Sequence, residues 1–295
     1  MQNFTIALIQ EKWNADPKAH AQALRAGVKR AAAHGAKLVC LQELTLHRYF
    51  GDDLRAENFE LAEPLEKGPS GKVFAKLAKE FGVYLVGSLF EVTSARKGKE
   101  DAYGLGRKHY YNTAVIYDPQ GKLCAFTRKQ HIPQGTGYEE IYYFEPGDSN
   151  YPVHDLGFVK IAVPTCYDQW FPEMARICAL KGAELIVYPT AIGSEPNFGA
   201  FDSMPRWQTV MRAHAIGNGV FVAAINRTGN EGLINFYGSS FVCDPTGEVL
   251  AQAPRGEPAV VIAELRKDTL EMWRDMFPLL KQRQPHTYGE LVRVN

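Results

Sequence analysis

No stretch of this 295-residue chain is apolar for long enough to form a membrane-spanning helix. Charge of one sign is missing too: 33 Lys and Arg against 33 Asp and Glu leave a formal net charge of +0. Without a basic excess there is no electrostatic hold on nucleic acid or an anionic membrane, so neither is expected as a partner. The first residues, Met1 to Lys12, have no basic leader and too short an apolar run for a signal peptide, and a cytoplasmic location is expected. Cysteine is sparse. None of Cys40, Cys124, Cys166, Cys178 and Cys243 falls in a CxxC pair, which excludes a zinc ribbon or a thioredoxin-type motif. Their odd number argues against a disulfide framework. No composition shift or linker marks a boundary, so residues 1–295 read as one domain with ample apolar content for a large core.

What is present is an alternation of strand-like and helix-like segments. Phe4 to Gln10 reads as a buried strand. Asp16-Pro17 then supplies an N-cap and a proline at the first helical position, with Gly35 as the stop and Leu24, Val28 and Ala31 on one face. A short strand runs to Glu43. Ser70 is the expected cap of a second helix carrying Val73, Leu77 and Phe81, and Val83 to Phe90 reads as the next strand. Residues 93–107 read as a surface loop. Within it the Gly104-x-Gly106 pair lacks the context of a phosphate loop, and Arg96 to Lys99 reads as solvated charge. Asp118-Pro119-Gln120-Gly121 and Asp244-Pro245-Thr246-Gly247 are turn sequences, each between two strand-like runs. Further elements are a helix after Cys166, a strand Leu185 to Tyr188, a helix Arg206 to Gly217 and a strand Val220 to Ile225. The pattern predicts an α/β layered protein with some antiparallel pairing.

The most informative segment runs from Val163 through Cys166 to Glu173. It sets one cysteine between an apolar run, Val159 to Val163, and a helix start. Such a corner lifts a thiol out of a sheet, and a helix N-terminus favours the reactive thiolate. Most single cysteines are small core hydrophobes, and Cys40, Cys124, Cys178 and Cys243 read that way. Cys166 stands apart because two other strand ends offer partners. Leu38-Val39-Cys40-Leu41 leads into Glu43, and Leu123 to Thr127 leads into Lys129. Alone, each would read as a cap or a solvated charge.

Glu43 in LQELT, Lys129 in RKQHIP and Cys166 in CYDQWFPE, in that order, resemble the nitrilase superfamily of carbon–nitrogen hydrolases. The segments Gly137 to Asp148, Tyr188 to Pro196, Asn226 to Gly229 and Phe236 to Val242 extend the likeness. Within that superfamily, DQWFPE, YPTAIGSEP and the terminal PHTYGEL look most like the branch that acts on N-carbamoylputrescine. Ala162, Pro164, Thr165 and Tyr167 depart from the usual family pattern, and Pro164 removes a backbone donor two residues before the nucleophile. The resemblance implies a four-layer α-β-β-α sandwich and a homo-oligomer built from dimers, with residues 265–295 as a contact extension.

It also implies the chemistry. Glu43 is the expected general base, Cys166 the nucleophile, and Lys129 with the backbone N–H of Tyr167 the oxyanion donors. Glu140 matches the family's second carboxylate, with the adjacent Glu139 left open by sequence. The expected substrate is a small ureido compound, R-NH-CO-NH2, cleaved through a thiocarbamate, with no metal or organic cofactor. A distal ammonium on the substrate calls for an acidic or aromatic partner. Glu195 is the candidate, and Trp170, Tyr167 and Tyr138 are candidate walls. Alternatives are a β-ureidopropionase or N-carbamoyl amino acid hydrolase, whose substrates end in a carboxylate and need Arg or Lys instead, another family amidase, and a non-catalytic scaffold. His131, Asp168 and Glu173 read as structural, with Arg176 as a helical partner for Glu173.

Overall fold

The computed structural model describes residues 1–94 and 107–293. The Gly104-x-Gly106 pair and the Arg96 to Lys99 run lie outside the described residues. The first half builds β1 (Phe4–Gln10), α1 (Pro17–Ala33), β2 (Ala36–Leu41), α2 (Pro69–Phe81), β3 (Tyr84–Ser94), β4 (Lys108–Tyr117) and β5 (Leu123–Arg128). The second half builds β6 (His154–Asp155), β7 (Lys160–Ala162), α3 (Pro172–Leu180), β8 (Leu185–Thr190), α4 (Met204–Asn218) and β9 (Phe221–Asn226). It continues through β10 (Thr228–Glu231), β11 (Ile234–Tyr237), β12 (Phe241–Cys243), β13 (Val249–Gln252), β14 (Ala259–Leu265) and α5 (Lys267–Met276).

These strands form two six-stranded sheets, ordered β14-β1-β2-β3-β4-β5 and β13-β12-β9-β8-β7-β6, with β10-β11 as a separate ribbon. The central strands are parallel, β1 to β2 to β3 and β7 to β8 to β9, while the flanking pairs are antiparallel. Parallel strands buried on both faces need apolar residues at every position, which is why Leu38 to Leu41 and Leu185 to Tyr188 show no polar alternation. One set of these side chains, including Leu38, Cys40, Val86, Ile116, Ile161, Val187 and Ala223, fills the space between the sheets. The other faces carry α1 and α2 on the first sheet and α3 and α4 on the second. The result is the α-β-β-α sandwich. No helix among the described residues is long and apolar enough to cross a membrane.

Several local expectations hold in detail. Asp16 caps α1 by accepting the Lys18 N–H, and Gly35 follows the helix at φ +78°. Four differ. The residue capping α2 is Gly68, with Pro69 first in the helix, and Ser70 lies inside it with its N–H on the Glu63 carboxylate at 2.7 Å. Thr93 and Ser94 finish β3 instead of starting a loop, because they pair with His109 and Lys108. Cys124 is exposed rather than a core thiol, since β5 is the edge strand of its sheet. No ion pair joins Glu173 to Arg176; Arg176 lies instead near Arg283 of the C-terminal segment, which holds its pKa below the usual value together with burial, the larger cause.

Candidate active site

Each of the three candidate reactive side chains leaves the end of a strand: Glu43 two residues beyond β2, Lys129 directly after β5, and Cys166 four residues beyond β7. The structure brings the first two into contact. Lys129 Nζ donates to Glu43 Oε1 at 2.9 Å and to Glu140 Oε2 at 2.6 Å. Lys129, Glu43 and Glu140 are each 0% exposed, so this ammonium sits between two carboxylates away from the protein surface. Of the two adjacent glutamates, Glu140 is the one that meets Lys129, while Glu139 is half-buried. Burial pushes Glu140 up to about 7; Lys129 opposes the shift and Glu43 adds to it. Lys129 itself is raised, because the two carboxylates outweigh its own desolvation. Tyr49 Oη donates to the remaining Glu140 oxygen, Oε1, at 3.0 Å.

Cys166 opens a five-residue 3-10 turn, Cys166–Trp170, that precedes α3. Its φ of +44° is a left-handed value that non-glycine residues seldom adopt, the signature of a sharp elbow at a reactive residue. Asp168 fastens the elbow, accepting the N–H groups of Thr165 at 3.1 Å and His131 at 2.9 Å. This matches the reading of Asp168 and His131 as braces. One expectation is reversed. The thiol pKa is driven well above its ordinary value, not below it. Burial is the largest cause, Glu43 and Glu140 add to it, and only Lys129 and a backbone hydrogen bond oppose. A turn this short has little dipole to set against full desolvation. The resting group is a thiol whose Sγ points to the Ala191 carbonyl at 3.7 Å, so it needs a base.

Sequence reasoning missed the residues that hold these ends together. Arg227, fully buried just after β9, donates through Nη2 to the carbonyls of Glu43, Leu44 and His47 at 3.0, 3.1 and 3.1 Å. Its Nη1 donates to Glu231 Oε2 at 2.6 Å. Asn226 clasps the next loop, donating to Ile192 O at 2.8 Å and accepting Ile192 N–H at 3.0 Å. Both belong to the NRTG segment, but nothing in the letters says what they hold. Asn112, on β4, donates to Glu43 Oε1 at 2.7 Å. The available signal was one amide, beside Thr113, in the strand-like run Tyr110 to Ile116.

Cys166 lies on the wall of a cavity of about 320 Å³, alongside Tyr138, Tyr167, Trp170, Ala191 and Glu195. The four expected substrate-contact residues thus meet at one opening. Among the described residues, Glu195 is the only charged side chain in the lining. Tyr138 does more than form a wall, since its hydroxyl accepts Gly193 N–H at 3.0 Å and donates to Ser194 O at 3.2 Å, fixing the loop that carries Glu195. The mouth is bridged by Asn197 Nδ2 donating to Thr136 Oγ1 at 2.7 Å.

Comparison with known proteins shows the family of the chain. The carbon–nitrogen hydrolase family profile matches residues 5–275. A Francisella tularensis protein named Citrullinase is 37% identical over 297 residues, 99% of both chains. The N-carbamoylputrescine amidase of Arabidopsis thaliana is 38% identical over 276 residues, 91% of this chain and 88% of that one. The solved structure of a carbon–nitrogen hydrolase from Helicobacter pylori G27 superposes with a TM-score of 0.87 at 33% identity, covering 99% of each chain. The chain belongs to the carbon–nitrogen hydrolase family and is a hydrolase of non-peptide carbon–nitrogen bonds.

Proposed function

We propose that the enzyme removes the carbamoyl group of a cationic N-carbamoyl amine, with N-carbamoylputrescine as its substrate. The observation that carries this reading is the cavity beside Cys166, whose only charged wall residue among the described residues is the carboxylate of Glu195. An ammonium at the far end of the substrate gains a partner there. A substrate carboxylate would meet Glu195 with no arginine or lysine among the described residues of the lining. The relative named Citrullinase supports a second reading, because its match spans 99% of both chains and citrulline has the same terminal ureido group. Citrulline, however, brings a carboxylate beside its ammonium.

Glu43 Oε2, buried and without a hydrogen bond, is the free basic atom and takes the proton from Cys166. The thiolate attacks the ureido carbon. Lys129 and the Tyr167 N–H, at the first turn after the nucleophile where backbone donors lack helical acceptors, face the oxyanion. The tetrahedral adduct expels ammonia, which receives the proton held by Glu43. Water, deprotonated by Glu43, then cleaves the thiocarbamate, and the carbamate released loses carbon dioxide to leave the amine. Glu140 keeps Lys129 charged and aligned. The diamine product connects the reaction to polyamine biosynthesis. The segment after β14 exposes Met272, Met276, Phe277, Leu291 and Val292, and we read it as the self-association surface. A mass in solution at or near 33.0 kDa, a monomer, would remove that part of the reading.

Ammonia release from N-carbamoylputrescine, citrulline and N-carbamoyl-β-alanine tests the substrate. N-carbamoylputrescine is expected to have the highest kcat/KM, and preference for either carboxylated compound would reverse the assignment. Glu195→Gln is expected to raise KM for the cationic substrate by about tenfold or more, the worth of one charge-assisted contact, and to leave KM for a neutral N-carbamoyl amine nearly unchanged. An equal effect on both would remove Glu195 from amine recognition.

A further inference from the structure

The two oxygens of Glu43 are treated differently. Oε1 receives Asn112 Nδ2 at 2.7 Å and Lys129 Nζ at 2.9 Å, while Oε2 stays buried without a hydrogen bond. The terminal torsion of a glutamate is broad, so its own rotamer does not fix which oxygen faces which way. An ammonium does not fix it either, being a compact charge with three rotatable donors. Asn112 has the required geometry. It is a planar amide, 0% exposed on β4. Its Oδ1 accepts from Ser88 Oγ at 3.2 Å, and that Oγ accepts the N–H of Leu44, the residue after Glu43, at 3.0 Å. With the serine proton given to Oδ1, the amide must present its NH2 to Glu43. The backbone carbonyl of Asn112 also accepts the Lys129 N–H at 2.8 Å. One residue therefore touches both the carboxylate and the chain that carries the ammonium.

We propose that Asn112 is a positioning residue of the hydrolysis, which locks the Glu43 carboxylate so that Oε2 is the oxygen that moves protons. The proposal rests on Glu43 being the base. A buried asparagine that merely satisfied its own hydrogen bonds would support the fold without setting the reaction rate.

Two variants and one control test it. N112D keeps the shape and replaces the donor by an acceptor facing Oε1. It is expected to lower kcat at neutral pH by about 100-fold, the scale of a misplaced reacting group, with KM little changed. Its deficit relative to the parent should narrow as pH falls, because the introduced acid can donate once protonated; a purely structural loss would be the same at every pH. S88A leaves the amide in place without its holder and is expected to lower kcat by about tenfold, the worth of one hydrogen bond to a charged network. The same order should appear in the rate at which iodoacetamide labels Cys166. Folded N112D and S88A with the parental kcat, or a deficit in N112D that ignores pH, would overturn the proposal. If N112D does not fold, S88A decides, and an unchanged kcat refutes. E43Q separates the two levels: turnover surviving in E43Q refutes Glu43 as base, whereas a dead E43Q beside fully active N112D and S88A refutes the positioning role alone.

Discussion

K129M is expected to abolish turnover and to destabilise the fold by about 3–5 kcal/mol, the cost of removing one partner from a buried ion pair. Methionine retains most of the lysine stem, so lost packing is not the cause. The cause is that Glu43 and Glu140, both 0% exposed, lose the cation that bonds to each of them. The catalytic loss has two sources. In the proposed mechanism an oxyanion donor is removed, worth about 100- to 1,000-fold by itself, and both carboxylates lose their anchor. The pH dependence follows from Glu140, which burial already raises from 4.5 to about 7. Without the ammonium it rises further. A carboxylate with a raised folded pKa contributes its full stability below the unfolded value and loses it as pH rises through the folded value. The deficit of K129M is therefore smallest near pH 4.5 and largest above about pH 7. Adding E140Q should restore much of the stability and none of the activity. Thermal melts across pH, with ammonia release, read both. A K129M protein as stable as the parent at pH 8 would contradict a charged cluster.

R227K is the second large effect. It preserves the charge and loses the geometry, because an ammonium cannot span three carbonyls and a carboxylate as a guanidinium fork does. Arg227 holds the carbonyls of Glu43, Leu44 and His47 in a turn where Leu44 has φ +45°. A non-glycine residue there persists only when its surroundings enforce it. We expect a stability loss of about 2–3 kcal/mol from unsatisfied buried groups. We also expect kcat to fall by about 100-fold as Glu43 drifts. R227A, which also strands the buried Glu231 carboxylate, should cost more. Urea midpoints and kcat measure the two losses separately. Parental values of both in R227K would show that the turn stands without its fork.

Much of this was readable in the chain. Strands buried on both faces announce themselves as unbroken apolar runs, and Asp16-Pro17 and the two DPxG turns declare their geometry through side-chain chemistry. Glu43, Lys129, Cys166 and Glu140 were legible because they sit in long motifs. Residues whose role depends on distant partners were not. Arg227 contacts Glu43, Leu44 and His47 across about 180 positions of chain, so no local pattern could reveal it. The thiol pKa was misjudged for the same reason: a turn start is local, whereas total burial beside two carboxylates is not. Ser70 lies inside α2 rather than capping it: the helix starts at Pro69 after Gly68, and the Glu63 carboxylate, seven residues before Ser70, accepts the Ser70 N–H that a capping side chain at position 68 would otherwise take.

The two sheets contribute different reagents. The proposed base and the ammonium hang from one, sulfur from the other, and a guanidinium rooted in the second reaches over to grip the first. The spacing that governs bond making is thus a gauge of how the layers are aligned. An interior exchange at Ile116 or Val187, in the packing between the sheets, would be felt as a change in velocity if it slid one layer past its neighbour by a fraction of an ångström.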